Sequence, residues 1–510
     1  MKKFLILFIL FPFYSCNDWL NVEPEDSVTF DNYFKSEDEL ETLYYSILSK
    51  MNTVANGPQP YYYASIDADE LTSATEGFRT LDVDTYTSKA NVLLKNDWST
   101  FYSVIYLANV LIDNQYRFEN IDKDRAEFWI QQAYFTKAIS YFRIAQIWGD
   151  APIAKDSESV EAEAKKPALE VLDEAIKNAE LALALPTYDK LTDANGNKIT
   201  SKQYASYGTV NTLLANIYAW MAHLTGEKEH WEKAEQFASV VIDGKAGFYE
   251  LENMDGLISN VFGKARGSKE SIYWIENSVL DYDYYNFGSN FYDRMPGHFM
   301  INYPYRTNDP GELATAQRGK YVRIKNSTVH DIYPDDKDLR LEYFWYNLGE
   351  YNYGFINKWR DMVYQDNPSF PTRPVIAVDC DFVVWRLADL ILLRAECRAR
   401  LGQTTLAKDD LDIVRKRAGL EGYSGSMDQE DLRKEIFLER RRELYGEGQF
   451  YFDVVRNGYY NDQEAKYLRG KFLTLTEQDV KNGALYSPVS GNAFEKNTLM
   501  TQNTYWQWQQ

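Results

Sequence analysis

Two stretches of this chain carry the same helical-hairpin pattern, and that pattern restricts the fold more than any other feature. In the later stretch, Ile391, Ala395, Ala407, Leu411 and Val414 lie at helical spacing on either side of Gly402. Small side chains at Ala395 and Ala407 let two antiparallel helices approach closely, and glycine ends a helix in a left-handed turn at no steric cost. In the earlier stretch, residues 215–223 and 231–242 repeat the idea with Ala219, Gly226, Ala234, Ala238 and Val241 across a longer predicted turn. Periodicity by itself fits a tetratricopeptide-like repeat and a generic helical bundle equally well.

Apolar residues spaced by three and four predict further helices near 37–51, 98–116, 126–148, 168–185 and 428–445. Trp98, Phe101, Ile105 and Ile112 share one helical face, so Trp98 is assigned to the core. The helix ending at Trp148 runs into Gly149-Asp150-Ala151-Pro152, a strong stop signal. Helical pairs are therefore expected over about 37–245 and 385–456, within a single body spanning 37–510.

Between about 246 and 384 this spacing disappears, and aromatic residues such as Tyr284, Tyr285, Tyr292, Tyr303, Trp345 and Tyr346 alternate with Asp, Asn, Gly and Pro. Tyrosine leads the aromatic count, with 40 Tyr against 27 Phe and 12 Trp in 510 residues. A core can use Phe as readily as Tyr, so the surplus places amphipathic rings at surfaces where something binds. Long irregular segments carried on a rigid helical body are the usual location of such sites.

Met1-Lys2-Lys3 is basic, and Phe4 to Tyr14 is an apolar run too short for a bilayer-spanning helix of about 20 residues. This reads as a signal peptide over 1–15, with Ser15-Cys16 resembling a bacterial lipoprotein start. Cys16 is then the lipid anchor and 16–36 an anchor and polar tether, each buried acyl methylene contributing about 0.8 kcal/mol. Only Cys380 and Cys397 remain, too few for a disulfide framework, and Cys397 reads as a buried small hydrophobe. The charge of −21 would repel phosphates, which argues against nucleic acid as a partner.

Catalytic and metal-binding motifs find little support. The four histidines form no close pair of zincin type, and no Gly-x-Ser-x-Gly elbow occurs. Gly263 to Lys269 has the composition of a phosphate loop without its spacing. Asp193, Asn195 and Asn197 resemble the opening of a calcium loop, but Lys198 and Tyr204 occupy the glycine and glutamate positions, so a tight turn is the better reading. No metal ligand or cofactor is assigned, and a structural calcium ion stays open. A carboxylate pair for glycoside hydrolysis depends on a separation in space that spacing in sequence does not give.

Four C-terminal segments carry a recognisable order: Trp385 to Glu396, Leu411 to Gly419, Glu439 to Gly448, and Phe452 to Arg456. With Asp18-Trp19-Leu20, Ala133 to Pro152, Tyr486-Ser487-Pro488 and Asn497 to Gln502, this resembles the SusD/RagB family of outer-membrane nutrient-binding lipoproteins. Gln449-Phe450 and Asn457 depart from the usual pattern within the scaffold. The resemblance implies a mainly α fold, a tetratricopeptide-like helical-pair scaffold with a large irregular, loop-rich aromatic ligand-binding region. It also implies a non-enzymatic role: glycan capture at the exterior of the outer membrane and delivery to a SusC-like TonB-dependent transporter. Tyr284, Tyr285, Tyr292, Trp345 and Tyr346 are the expected stacking rings, with Asp67 and Arg79 as polar contacts. The Glu439, Arg440 and Glu443 cluster is read as scaffold, a helix held by its own ion pairs. A peptide-capturing or scaffold lipoprotein and a surface glycoside hydrolase are the competing readings.

Overall fold

The computed structural model describes residues 33–56, 70–71, 97–277, 322–346, 348, 353–364, 375–468 and 470–509. Ten helices among these form the body: α1 Glu37–Asn56, α2 Ser99–Asp113, α3 Lys123–Trp148, α4 Ala168–Leu181 and α5 Tyr207–Thr225. They continue as α6 Lys228–Ile242, α7 Leu387–Arg400, α8 Thr404–Arg417, α9 Gln429–Glu443 and α10 Phe450–Asn457. Helix α1 packs on α2, α3 on α4, α5 on α6 and α7 on α8, and α6 lies against α7, so successive pairs stack. This is the expected paired-helix scaffold. Ala219, Ala234, Ala238, Ala395 and Ala407 are all buried where the pairs meet.

The helix boundaries have local causes. The Asp122 carboxylate accepts the backbone N–H groups of Asp124 and Arg125 at 3.1 and 3.2 Å, capping α3. Ser206 and Thr209 form a capping box that starts α5. Gly226 and Gly402, at φ 72° and 77°, end α5 and α7. The turn between α5 and α6 is only Gly226-Glu227, shorter than the apolar spacing predicts. Leu224-Thr225 extend α5, and Lys228 to His230 extend α6 with polar residues that carry little apolar signal.

Gly149, at φ 75°, ends α3, and a Cβ there would lie 2.9 Å from the Tyr486 ring. Beyond it, the Asp150 carboxylate accepts the Ala168 N–H at 2.9 Å and starts α4. The C-terminal segment closes over the same corner. Ser487 N–H donates to the Ile147 carbonyl at 2.8 Å, and Trp506 Nε1 donates to the Tyr486 carbonyl at 2.8 Å. Trp98 is in the core as expected, with its ring 5.8 Å from that of Trp148.

Two strands, β1 Ser271–Ile275 and β2 Phe382–Arg386, pair antiparallel beneath the helices, with Trp274 opposite Val383. Lys202 ties β1 to the scaffold. Its ammonium donates to the Ser268 carbonyl at 2.9 Å and to that of Ser271, and it sits 4.7 Å from the centre of the Tyr188 ring. Burial lowers this lysine to about 7, against a smaller opposing effect of Glu252.

The end of β2 enters the densest electrostatic cluster of the protein. Arg386 donates at 2.7 Å to both Glu270 and Glu443, and at 2.8 Å to Glu447. Glu443 also accepts from Arg340 at 3.3 Å and from Arg417. Lys358 reaches Glu447 at 2.7 Å, and Arg340 reaches Glu439 at 2.7 Å. Arg340, Arg386, Glu439 and Glu443 are all at most 1% exposed. The cluster is scaffold, and the helix pairs with itself only in part, Arg442 donating to Glu439 at 2.8 Å. Arg440 turns away to Asp389 and Asp453, at 2.7 and 2.9 Å, and Glu443 finds its arginines on other segments. Burial alone would raise these carboxyls, but the facing arginines outweigh it. Glu439 and Glu396 are held at about 2, and Glu443 well below the usual range.

Removing one member strands the others, so Glu443→Gln should cost about 3–5 kcal/mol in denaturant unfolding. A loss under about 1 kcal/mol would contradict a central role. The pH dependence has a definite sign. Carboxyls depressed in the folded state contribute stability that is fully present above their unfolded pKa of about 4.3. That stability is lost as pH falls towards the folded value of about 2 for Glu439 and Glu396. Melting temperature should therefore drop steeply between about pH 4.5 and pH 2, and a flat profile there would exclude these groups as the cause.

Candidate ligand-binding face

A four-stranded antiparallel sheet joins parts of the chain far apart in sequence. Its order is Glu70–Leu71, Val322–Lys325, Tyr353–Ile356, then Trp345–Tyr346. The register pairs Leu71 with Val322, Ile324 with Gly354, and Tyr346 with Phe355. Glu70 lies three residues beyond Asp67, and Val322 follows the stretch that contains Tyr284, Tyr285 and Tyr292. The sheet thus joins Glu70–Leu71 and Val322–Lys325 to the strand that carries Tyr346. Asp67, Arg79, Tyr284, Tyr285, Tyr292 and Cys16 themselves lie outside the described residues.

Trp345 and Tyr346 are adjacent in one strand, and successive side chains of a strand point to opposite faces. Trp345 turns towards the body. It is 3% exposed, its ring lies 5.1 Å from that of Tyr445 and 6.2 Å from that of Tyr333, and it crosses the neighbouring strand at Gly354. A Cβ on Gly354 would stand 3.3 Å from the Trp345 ring and 2.7 Å from the end of the Leu348 side chain, so glycine leaves room for this close approach. Trp345 presents no open face for stacking, which corrects its assignment as a contact residue. Tyr346 is half-buried on the opposite face of the sheet.

The chain also enters and leaves this region at one corner. Asn52, in the last turns of α1, donates to the Glu276 carbonyl just beyond β1. Asn277 N–H donates to Asp381 at 3.1 Å, and Asp379 N–H to the Asp361 carbonyl at 2.9 Å. Beside them lies a mostly apolar cavity of about 80 Å³, lined by Met51, Val54, Ile275, Phe382 and Phe452 with Arg143 at its polar side.

Other candidates resolve as structural. Asp193 accepts the N–H groups of Asn195 and Asn197 at 2.9 and 2.8 Å around Gly196 at φ 78°, which is the tight turn expected. His223 is half-buried, and desolvation followed by Arg456 and Arg400 lowers it to about 4. Cys380 and Cys397 are buried free thiols. Among the described residues no group of His, Cys, Asp and Glu is placed to hold a metal ion. Asp381, Asp389 and Asp410 are raised by burial, yet each is bonded to arginine: Arg266, Arg440 and Arg394 respectively. The sheet and its corner were missed in sequence because the strands are two to five residues long and carry no clear alternation.

Comparison with known proteins agrees with this architecture. Residues 273–506 match the model of the SusD family, and residues 18–207 match a model described as starch-binding associating with outer membrane. SusD-like protein P38 of Formosa agariphila is 25% identical over 490 residues, covering 89% of this chain and 90% of its own. A SusD homologue from Bacteroides thetaiotaomicron shares the fold with a TM-score of 0.74 at 21% identity, over 93% of this chain and 99% of that one. A laminarin-binding SusD-like protein does so with a TM-score of 0.69 at 20% identity, over 92% and 99%. Matched by two SusD-type family models that together span residues 18–207 and 273–506, and sharing one paired-helix body with these structures, the chain belongs to the SusD/RagB family.

Proposed function

We propose that this protein captures oligo- or polysaccharide at the outer face of a bacterial outer membrane, anchored through Cys16, and delivers it to a SusC-like TonB-dependent transporter. The observation that supports the reading is the sheet, which joins Glu70–Leu71, Val322–Lys325 and the strand of Tyr346 in one antiparallel unit. Sugar rings offer C–H faces that stack on tyrosine, and hydroxyls that pair with carboxylates, amides and guanidinium groups. The described buried acids support binding over turnover, because a carboxylate held by arginines is a poor general acid. A laminarin-binding relative and a family described by starch binding and outer-membrane association point the same way.

The test is an affinity-gel and glycan-array screen of residues 17–510 against plant, host and microbial polysaccharides. Retention without released reducing ends supports capture. Product release would replace it with hydrolysis, and retention of peptides but no glycan would replace it with peptide capture. Once a ligand is identified, Tyr346→Ala should weaken binding about tenfold, equivalent to about 1.4 kcal/mol, with unchanged melting. Alanine at Asp67, Arg79, Tyr284, Tyr285 and Tyr292 should act in the same direction. Trp345→Ala should instead lower stability by about 3–5 kcal/mol. Unchanged affinity at Tyr346 and at all five of the others would remove this face as the site.

A further inference from the structure

The loop from Gly263 to Lys269, set aside above as a phosphate site, has an unusual build. A π-helical turn, Leu257–Val261, runs into it, and such turns are rare and concentrate at functional positions. Gly263 is crowded: a Cβ would lie 2.6 and 2.8 Å from the carbonyl oxygens of Ser259 and Ile258, and 2.8 Å from the Asp361 carboxylate. That carboxylate accepts the Lys264 N–H at 2.9 Å. Two residues on, Arg266 has φ +49°, a left-handed conformation that a long side chain adopts at a cost.

What holds Arg266 there is its side chain. Its guanidinium bonds Asp379 at 2.9 Å and both carboxylate oxygens of Asp381 at 3.1 Å, and reaches the Asn277 carbonyl at 3.4 Å. Asp381 in turn accepts the Asn277 N–H. The contacts of this loop fall where the chain passes between body and binding region. Asn277 is where it leaves β1, Asp361 is where it enters strand Met362–Tyr364, and Asp379 to Asp381 is where it returns from strand Val375–Val378. One strained residue and one crowded glycine fasten these three passages to each other.

From this geometry we infer that Arg266 is a positioning residue for ligand capture, clamping the passages at Asn277 and at Asp379 to Asp381 at the base of the binding region, beside the third that the Lys264 N–H holds at Asp361, without touching the ligand itself. The inference rests on the capture reading for its effect on affinity, but the clamp is observable without any ligand.

Arg266→Gly alone would leave Asp381 buried and unpaired, so the decisive variant is Arg266→Gly combined with Asp381→Asn. Glycine relieves the left-handed backbone and asparagine keeps an acceptor for Asn277, so melting should stay within about 2 °C of the unmodified protein. Limited proteolysis read by mass spectrometry should show cuts within 278–321 and 365–374 forming about tenfold faster. Affinity for a glycan found in the screen should fall about tenfold, because less of the binding arrangement is preorganised. Arg266→Lys, which keeps one ion pair, should fall between the two in both readouts. Unchanged cleavage with unchanged melting would overturn the clamp, and a large fall in melting would show a general structural role instead. If the unmodified protein retains no glycan, the capture reading fails separately, and the cleavage rates alone decide the clamp.

Discussion

Glu443 is the point through which the helical scaffold and the irregular region are joined. Its carboxylate meets Arg340 from the irregular region, Arg386 at the end of β2 and Arg417 at the end of α8. Taking several charges out of water costs several kcal/mol per ion, which is recovered only where the geometry is good and every remaining proton and lone pair finds a partner. Here Glu443 and its three arginines come from four parts of the chain, so the arrangement exists only when all four are in place. Well-packed apolar residues could supply equal stability. They would be less selective for register, because apolar contact is non-directional and a guanidinium fork is not.

This explains why an acid-rich protein with many buried carboxylates reads as a binder. Glu439, Glu443 and Glu447 are pulled down by facing cations, and Asp381, raised by burial, is bonded to Arg266. In the proposed capture role the site works through aromatic faces and hydrogen bonds. A rigid body under irregular segments suits such a task, since ordering those segments on binding would otherwise subtract from affinity. Lys202, buried among Tyr188, Tyr249 and carbonyls, serves the same end by pinning β1 to the helices.

Much of the scaffold was legible because its signals are local. The alanines flanking Gly402 and the stop signal at Gly149 act within a few residues of themselves, so spacing alone reveals them. The site was legible only as a region. Trp345 and Tyr346 look alike in sequence, and a strand two residues long offers no alternation to separate them. What separates them is Gly354, which lets the Trp345 ring cross beneath the neighbouring strand. Helix α9 misled in a different way: Arg440 and Glu443 are spaced to pair with each other, yet both have better partners on other segments.

The sequence by itself determined that this is a mainly helical body of paired helices with a tyrosine-rich irregular region, because helix periodicity, glycine stops and composition act over short range. Only the tertiary structure decided which of two adjacent aromatics faces outward, which arginine each carboxylate takes, and where the chain is fastened as it enters the binding region. Those outcomes depend on contacts between different elements of the fold, some far apart in sequence, such as Glu443 with Arg386 and Asn277 with Asp381. No local spacing encodes them, since each partner is chosen by what the rest of the fold brings within a few ångströms.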